Sequence, residues 1–136
     1  MLADSRVSIV VPSYNRGHSL ALLAAALENQ TYAPYEAILV DDCSQDGSIE
    51  IARREFGKVL QTDARSGPAK ARNLGISSAK GDIIAFTDSD CVPDRRWVEN
   101  IVKWLQDTRI DVVMGRVVFP SGGVFADSIS CLGFPA

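Results

Sequence analysis

The stretch DIIAFTDSDCVPDRRWVENIVKWLQD, residues 82–107, decides the fold. It opens on DIIAFT, a short apolar run suited to a buried strand, and closes on a helical pattern. Trp97, Ile101, Trp104 and Leu105 recur there at the spacing of one helical face, which predicts a core-facing stripe with Asp94 as the helix cap. Between strand and helix stand two carboxylates one residue apart, Asp88 and Asp90, followed by Cys91 and Pro93. Strand, polar turn and helix make one βα unit.

The same alternation recurs toward the N-terminus. VSIVV (7–11) is a β-branched run, and HSLALLAAALENQ (18–30) puts Leu20, Leu23 and Leu27 on one helical face. EAILV (36–40) is a second buried strand. The loop DDCSQDGS leads into a helix that Asp46 or Ser48 caps, with Ile49, Ala52 and Phe56 facing inward. KVLQT is a weaker strand. SGPAKARNLGISSAKG then predicts a helix with Ser66 as cap, Pro68 near its first position and Gly81 as its stop. After residue 107, DVVMGRVVF (111–119) predicts one more strand, and the remainder is Gly-, Ser- and Pro-rich with weak patterning. Repeated switching between the two periods predicts an α/β fold: a mostly parallel sheet with helices on both faces.

With 136 residues the chain, 1–136, is expected to be a single domain, regular to about residue 107 and partial or irregular over 108–136. Hydrophobic residues at 46% and charged ones at 23% predict a soluble globular chain and exclude a disordered one. A net charge of −3 argues against a nucleic-acid partner, whose phosphates call for clustered Lys and Arg. No run reaches the eighteen or so apolar residues of a membrane span. Three cysteines without CxxC spacing indicate neither a disulfide framework nor a zinc site, and a reducing cytoplasm is the expected compartment.

Ligands of open parallel sheets bind at the carboxyl ends of the strands, near a reversal in strand order. That edge collects Tyr14 and Asn15 after the first strand, Asp41 and Asp42 after the second, Arg65 to Arg72 after the third, and Asp88 and Asp90 after the fourth. Taken singly most of these have bland readings. Asp41 and Asp42 make turns and caps, Tyr14 packs, Lys70 and Arg72 form a solvated face, and His18, just before a helix, is exposed or caps it. Asp88 and Asp90 are harder to dismiss, because two carboxylates so close repel unless a cation or a shared proton relieves them. Oxygen donors in small number suit Mg²⁺ or Mn²⁺ completed by substrate phosphates. Neither a Walker A sequence nor GxGxxG occurs, so the phosphates would fall to the metal, to Lys70 or Arg72, and to the helix N-terminus near Gly67.

VSIVVPSYNR, QTYAPYEAILVDDCSQDGS, GPAKARNLGISSAKGDIIAFTDSDCVPD and RRWVENIV, in this order over roughly residues 6–107, resemble the N-terminal half of a family 2 glycosyltransferase of the GT-A fold. The resemblance implies a nucleotide-diphosphate sugar donor, often UDP-linked, and transfer to an acceptor with inversion. Pro12 and Tyr14 match positions lining the nucleoside pocket. Asp42 matches the carboxylate that hydrogen-bonds the base, with Asp41 beside it. Lys70, Arg72 and Asn73 fall in the segment that closes over the nucleotide. DSD matches the DxD motif, in which Asp88 reaches toward the ribose or the metal shell and Asp90 ligates the divalent metal, Mn²⁺ or Mg²⁺. Cys91 is then a small buried residue.

Members of the family are longer, and their second half carries the acceptor site and a carboxylate base. Glu99, Asp107, Asp111 and Asp127 match no base motif, so no base is assigned, and the chain reads as the donor-binding part. The acceptor implied is a saccharide or a lipid-linked one, which leaves peripheral attachment at the inner face of a membrane and self-association open. Two rivals stand beside this reading. In a haloacid-dehalogenase-like phosphatase Asp88 would be the nucleophile and Asp90 the acid/base, although that motif usually follows the first strand. A non-catalytic nucleotide-binding module would keep the pocket without transfer.

Overall fold

The computed structural model describes residues 4–118. Its elements follow in the order β1 (Val7–Ser13), α1 (Gly17–Glu28), β2 (Tyr35–Asp41), α2 (Ser48–Glu55), β3 (Lys58–Gln61), α3 (Pro68–Ser78), β4 (Ile83–Phe86) and α4 (Trp97–Leu105). The four strands form one parallel sheet in the order β3-β2-β1-β4.

β1 is central and buried at every residue, including Ser8 and Ser13, which is why its sequence is mostly apolar without regular polar alternation. Side chains alternate across the sheet. Val7, Ile9 and Val11 join Leu20, Leu23 and Leu27 of α1, Ala52 of α2 and Val98 and Val102 of α4 in one apolar cluster. Ile38 and Val40 join Ala71 of α3 in a second. So α1, α2 and α4 cover one face and α3 covers the other, as the α/β reading requires.

The contact of α3 with β1 is unusually close. A Cβ placed on Gly75 would lie 2.3 Å from Cγ1 of the buried Val10. Gly75→Ala is therefore expected to push α3 off the sheet and to cost about 1–3 kcal/mol. A lower urea midpoint at an unchanged slope is the check; an unaltered midpoint would show that α3 has room to give.

β1 outruns one of its neighbours. It pairs with β2 as far as Ser13 opposite Asp41, but with β4 only as far as Val10 opposite Phe86. The Thr87 N–H bonds the Val10 carbonyl on the β4 side and the Asp42 N–H bonds the Ser13 carbonyl on the β2 side. By that alternation Pro12 faces the side where β4 has ended, so its missing N–H breaks no ladder. This is how a proline sits in a central strand. The chain winds outward from β1 to β2 and β3, then returns to place β4 on the other side, so the strand order reverses between β1 and β4. The pairing of β1 with β4 ends there at Val10, and open parallel sheets offer their ligand crevice at such a reversal.

Several local expectations are corrected. On α4 the buried residues are Val98 and Val102, with Trp97, Ile101 and Leu105 partly buried, while Trp104 is 61% exposed. Val98, Ile101, Val102 and Leu105 satisfy the helical period as well as the tryptophan stripe does, and the smaller residues fit the close contact. Asp94 stands two residues ahead of the cap position, Arg96: its carboxylate accepts the Arg96 N–H and its carbonyl the Trp97 N–H. On α2, Ile51 and not Ile49 joins the core, and the residue before the helix is Gly47, with Asp46 Oδ1 accepting the Ser48 N–H at 3.0 Å.

Ser66 does not cap α3, because its hydroxyl turns back to the Ala64 carbonyl. Gly81 does not stop it either, since the chain is already extended at Ala79. Gly81 serves a close backbone passage instead: a Cβ there would meet Ser8 N at 2.6 Å and Arg6 O at 2.7 Å. Within the predicted strand 111–119, residues 111–118 form none; Val112, Met114, Val117 and Val118 stand exposed, and Phe119 lies outside the described residues. A β-branched run becomes a strand only beside a pleated partner, and none adjoins this one among the described residues.

Candidate functional site

Four loops meet at the carboxyl edge of the sheet, one after each strand. After β1 comes Asn15, whose φ of 49° is a left-handed conformation that asparagine tolerates. Its N–H donates to Ser44 Oγ at 2.9 Å and its Oδ1 accepts the Gln45 N–H at 2.8 Å. The β1–α1 and β2–α2 loops are thereby tied to each other through one residue, by its backbone and its side chain. Tyr14 beside it is half-buried, and the Arg65 guanidinium lies over its ring, 3.8 Å from the centroid.

Asp41 and Asp42 close β2 and are both buried. Asp42 Oδ1 accepts the Thr62 hydroxyl at 2.7 Å and the Ser66 N–H at 2.8 Å, and Oδ2 accepts the Gly67 N–H at 2.8 Å. Burial pushes its carboxyl up, but the Ser66 N–H, the Thr62 hydroxyl, the Gly67 N–H and the charge of Arg65 together outweigh burial and hold it below the ordinary carboxylate value. Asp42 thus fastens the loop between β3 and α3. Asp41 Oδ2 accepts the Ser44 N–H and a Gln61 amide N–H. Asp41 Oδ1 and the hydroxyl of its register partner Ser13 are buried without a hydrogen bond among the described residues.

The loop after β4 carries the acid pair. One ligand atom from each of Asp88, Asp90 and Cys91 lies within 4.8 Å of the others. Both carboxylates are exposed, and Cys91 is half-buried where the sequence reading had it buried. The loop is pinned from α1, where Ser19 Oγ donates to the Ser89 carbonyl at 2.7 Å, and the Cys91 N–H closes a turn on the Asp88 carbonyl. Each carboxylate has its own arginine. Arg72 of α3 bonds Asp88 at 2.9 Å, and Arg16, just before α1, stands 3.8 Å from Asp90. Two carboxylate donors fit a hard divalent cation such as Mg²⁺ or Mn²⁺; the softer thiol of Cys91 fits neither as well, so the oxygens are the ligands of choice.

Pro12, Tyr14, Asp41, Asp42, Arg72, Asp88 and Asp90 therefore stand along one sheet edge. Lys70 and Asn73 are exposed on α3. Arg16, Ser19 and the stacking of Arg65 were not singled out in the sequence; the only signal was the arginine ending the motif VSIVVPSYNR. Away from the edge, Glu99 is held by Arg96 and Thr31, and Asp107 by Arg109. Asp127 lies outside the described residues. A cavity of about 360 Å³ lined by Leu27, Tyr35, Phe56 and Lys58 opens at the opposite edge and touches none of these groups. Among the described residues no helix is long and apolar enough to cross a membrane.

The family model described as Glycosyl transferase family 2 matches residues 8–130. Glycosyltransferase AglE of Haloferax volcanii is 38% identical over 130 residues, covering 89% of this chain and 43% of that protein. Among solved structures, S. aureus TarS 1-349 in complex with UDP is similar with a TM-score of 0.69 at 28% identity, over 85% of this chain and 38% of that one. The mannosyltransferase PcManGT from Pyrobaculum calidifontis, in complex with GDP-Man and Mn²⁺, is similar with a TM-score of 0.72 at 31% identity, over 76% of this chain and 33% of that one. The chain spans less than half the length of each.

Proposed function

Because the chain belongs to glycosyl transferase family 2 and shares the GT-A fold of its members, we propose that it binds a UDP-linked sugar across the β1/β4 crevice and serves transfer of that sugar to an acceptor hydroxyl with inversion. The observation that carries this reading is the position of the acid pair, whose ligand atoms cluster at the one point where the strand order reverses. The structural relatives hold UDP and GDP-Man, so a nucleoside diphosphate is the shared part of their ligands. The phosphatase reading falls with family membership, and three βα units precede β4 where that motif needs none.

In this proposal Pro12 and Tyr14 line the nucleoside pocket, with the Tyr14 ring as the stacking face. Asp42 Oδ2 accepts one bond from the loop and keeps a lone pair for a base N–H, and Asp41 supports it from within the strand. Asp90 holds the cation, Asp88 shares it or takes the ribose, and Lys70, Arg72 and Asn73 close from α3. A bound Mn²⁺ or Mg²⁺ supplies Lewis-acid stabilisation of the charge that grows on the departing diphosphate. Arg72 and the other cations of the rim add fixed positive charge at that group. The acceptor, a saccharide or lipid-linked one, needs a base to take its hydroxyl proton, and Glu99 and Asp107 are engaged elsewhere.

Calorimetric titration of UDP into the full chain, with and without Mn²⁺, is the test. Binding at least about tenfold tighter with Mn²⁺ is expected from charge-assisted contacts to a metal-held diphosphate. No uptake in either condition by a folded chain overturns the proposal.

A further inference from the structure

The acid pair is bracketed from both faces of the sheet, since Arg16 stands at the start of α1 on one face and Arg72 on α3 across it. Two carboxylates held this close repel each other, and in the protein as described two guanidinium groups supply the cations that relieve them. The Arg16 to Asp90 pair is the looser of the two. It spans 3.8 Å with side chains 48% and 51% exposed, whereas Arg72 to Asp88 is a hydrogen-bonded 2.9 Å. Exposed pairs of the first kind are worth little and are readily traded for another partner.

We propose that Arg16 is a diphosphate-binding residue held in reserve on Asp90: a divalent cation and Arg16 compete for that carboxylate, and the displaced guanidinium closes on the phosphates of the donor. The inference rests on the donor-site reading above. Its physical basis is charge. A cation taken by Asp90 removes the partner of Arg16 and repels its guanidinium, and the anion nearest at hand is the diphosphate, whose oxygens match the planar fork of arginine. Metal and nucleotide then bind as coupled ligands, each easing the entry of the other.

The coupling gives Arg16→Gln opposite effects in two titrations on the full chain. Mn²⁺ alone is expected to bind about two- to fivefold tighter than to the wild type, because the competing cation is gone. UDP at saturating Mn²⁺ is expected to bind about tenfold more weakly, because a charge-assisted contact is gone. Arg16→Lys keeps the competing charge but not the fork, so Mn²⁺ affinity should return to that of the wild type while UDP affinity recovers only in part. Arg53→Gln, an exposed position on α2, carries the same charge change and should move neither. Thermal melts of each variant confirm the fold. Arg16→Gln that weakens both ligands, or shifts them no more than Arg53→Gln does, overturns the exchange while leaving the donor site intact. Wild-type protein that takes up no UDP overturns the donor reading and the exchange with it.

Discussion

Asp90→Asn is expected to remove the Mn²⁺-dependent part of UDP binding, a loss of at least about tenfold, within the roughly 10- to 100-fold that even the outer-shell partners of metal ligands are worth. The amide keeps the shape of the side chain and one acceptor oxygen but loses the charge that a hard cation requires. The same change releases Arg16 from its 3.8 Å pairing with the carboxylate. UDP binding without metal should therefore persist at the wild-type level or rise. Calorimetry of the variant with and without Mn²⁺ reads both quantities. Retention of a Mn²⁺ effect near the wild-type size would move the cation to Asp88 alone or off the DSD turn altogether.

Asp42→Ala should cost the fold about 3 kcal/mol, the order measured when one partner of a buried charge-assisted network is removed. It strands the N–H groups of Ser66 and Gly67 and the hydroxyl of Thr62, all of which Asp42 accepts. The pH dependence carries a sign. Its folded carboxyl is held below the ordinary value, so its contribution is fully present above the unfolded pKa of about 3.9 and is lost as pH falls through the folded value. The stability gap between wild type and variant, from urea midpoints, is thus expected to be widest near neutrality and to shrink below about pH 4. A gap that stays constant into acid would mean that the charge of Asp42 contributes nothing. UDP affinity should fall as well, because the loop released by the change carries Arg65, which lies over Tyr14.

Most of the fold was legible because its central strand is buried on both faces, and a run such as VSIVV has no other economical place in a parallel sheet. The acid pair drew notice for a different reason, since like charges so close repel unless a positive group stands by, and Arg72 and Arg16 stand beside them. What escaped were bonds between side chains and backbone distant in sequence. Ser66 looked like a cap in its own segment, yet its N–H belongs to Asp42, 24 residues earlier. Gly81 looked like a helix stop, yet it answers to Ser8 and Arg6 across the sheet edge. Trp104 was misplaced because two adjacent stripes of α4 share one period and only the contact with the sheet chooses between them. Arg16 carried no local pattern, because its partner arrives with the loop after the last strand.

That late arrival bears on how the chain folds. β1 meets β2 after a single crossover, Val7 opposite Tyr35, but meets β4 only after two further units, Val7 opposite Ile83. Closing the longer loop costs more chain entropy and makes the β1·β4 pairing the slowest to find. The two walls of the crevice therefore come together in the last docking event of the sheet. A ligand that spans them binds the completed state and not its precursors, so it deepens the native basin at the step where the chain is most exposed to misassembly. Refolding yield should accordingly rise with UDP and Mn²⁺ in the buffer, which would make a ligand of this edge an aid to folding.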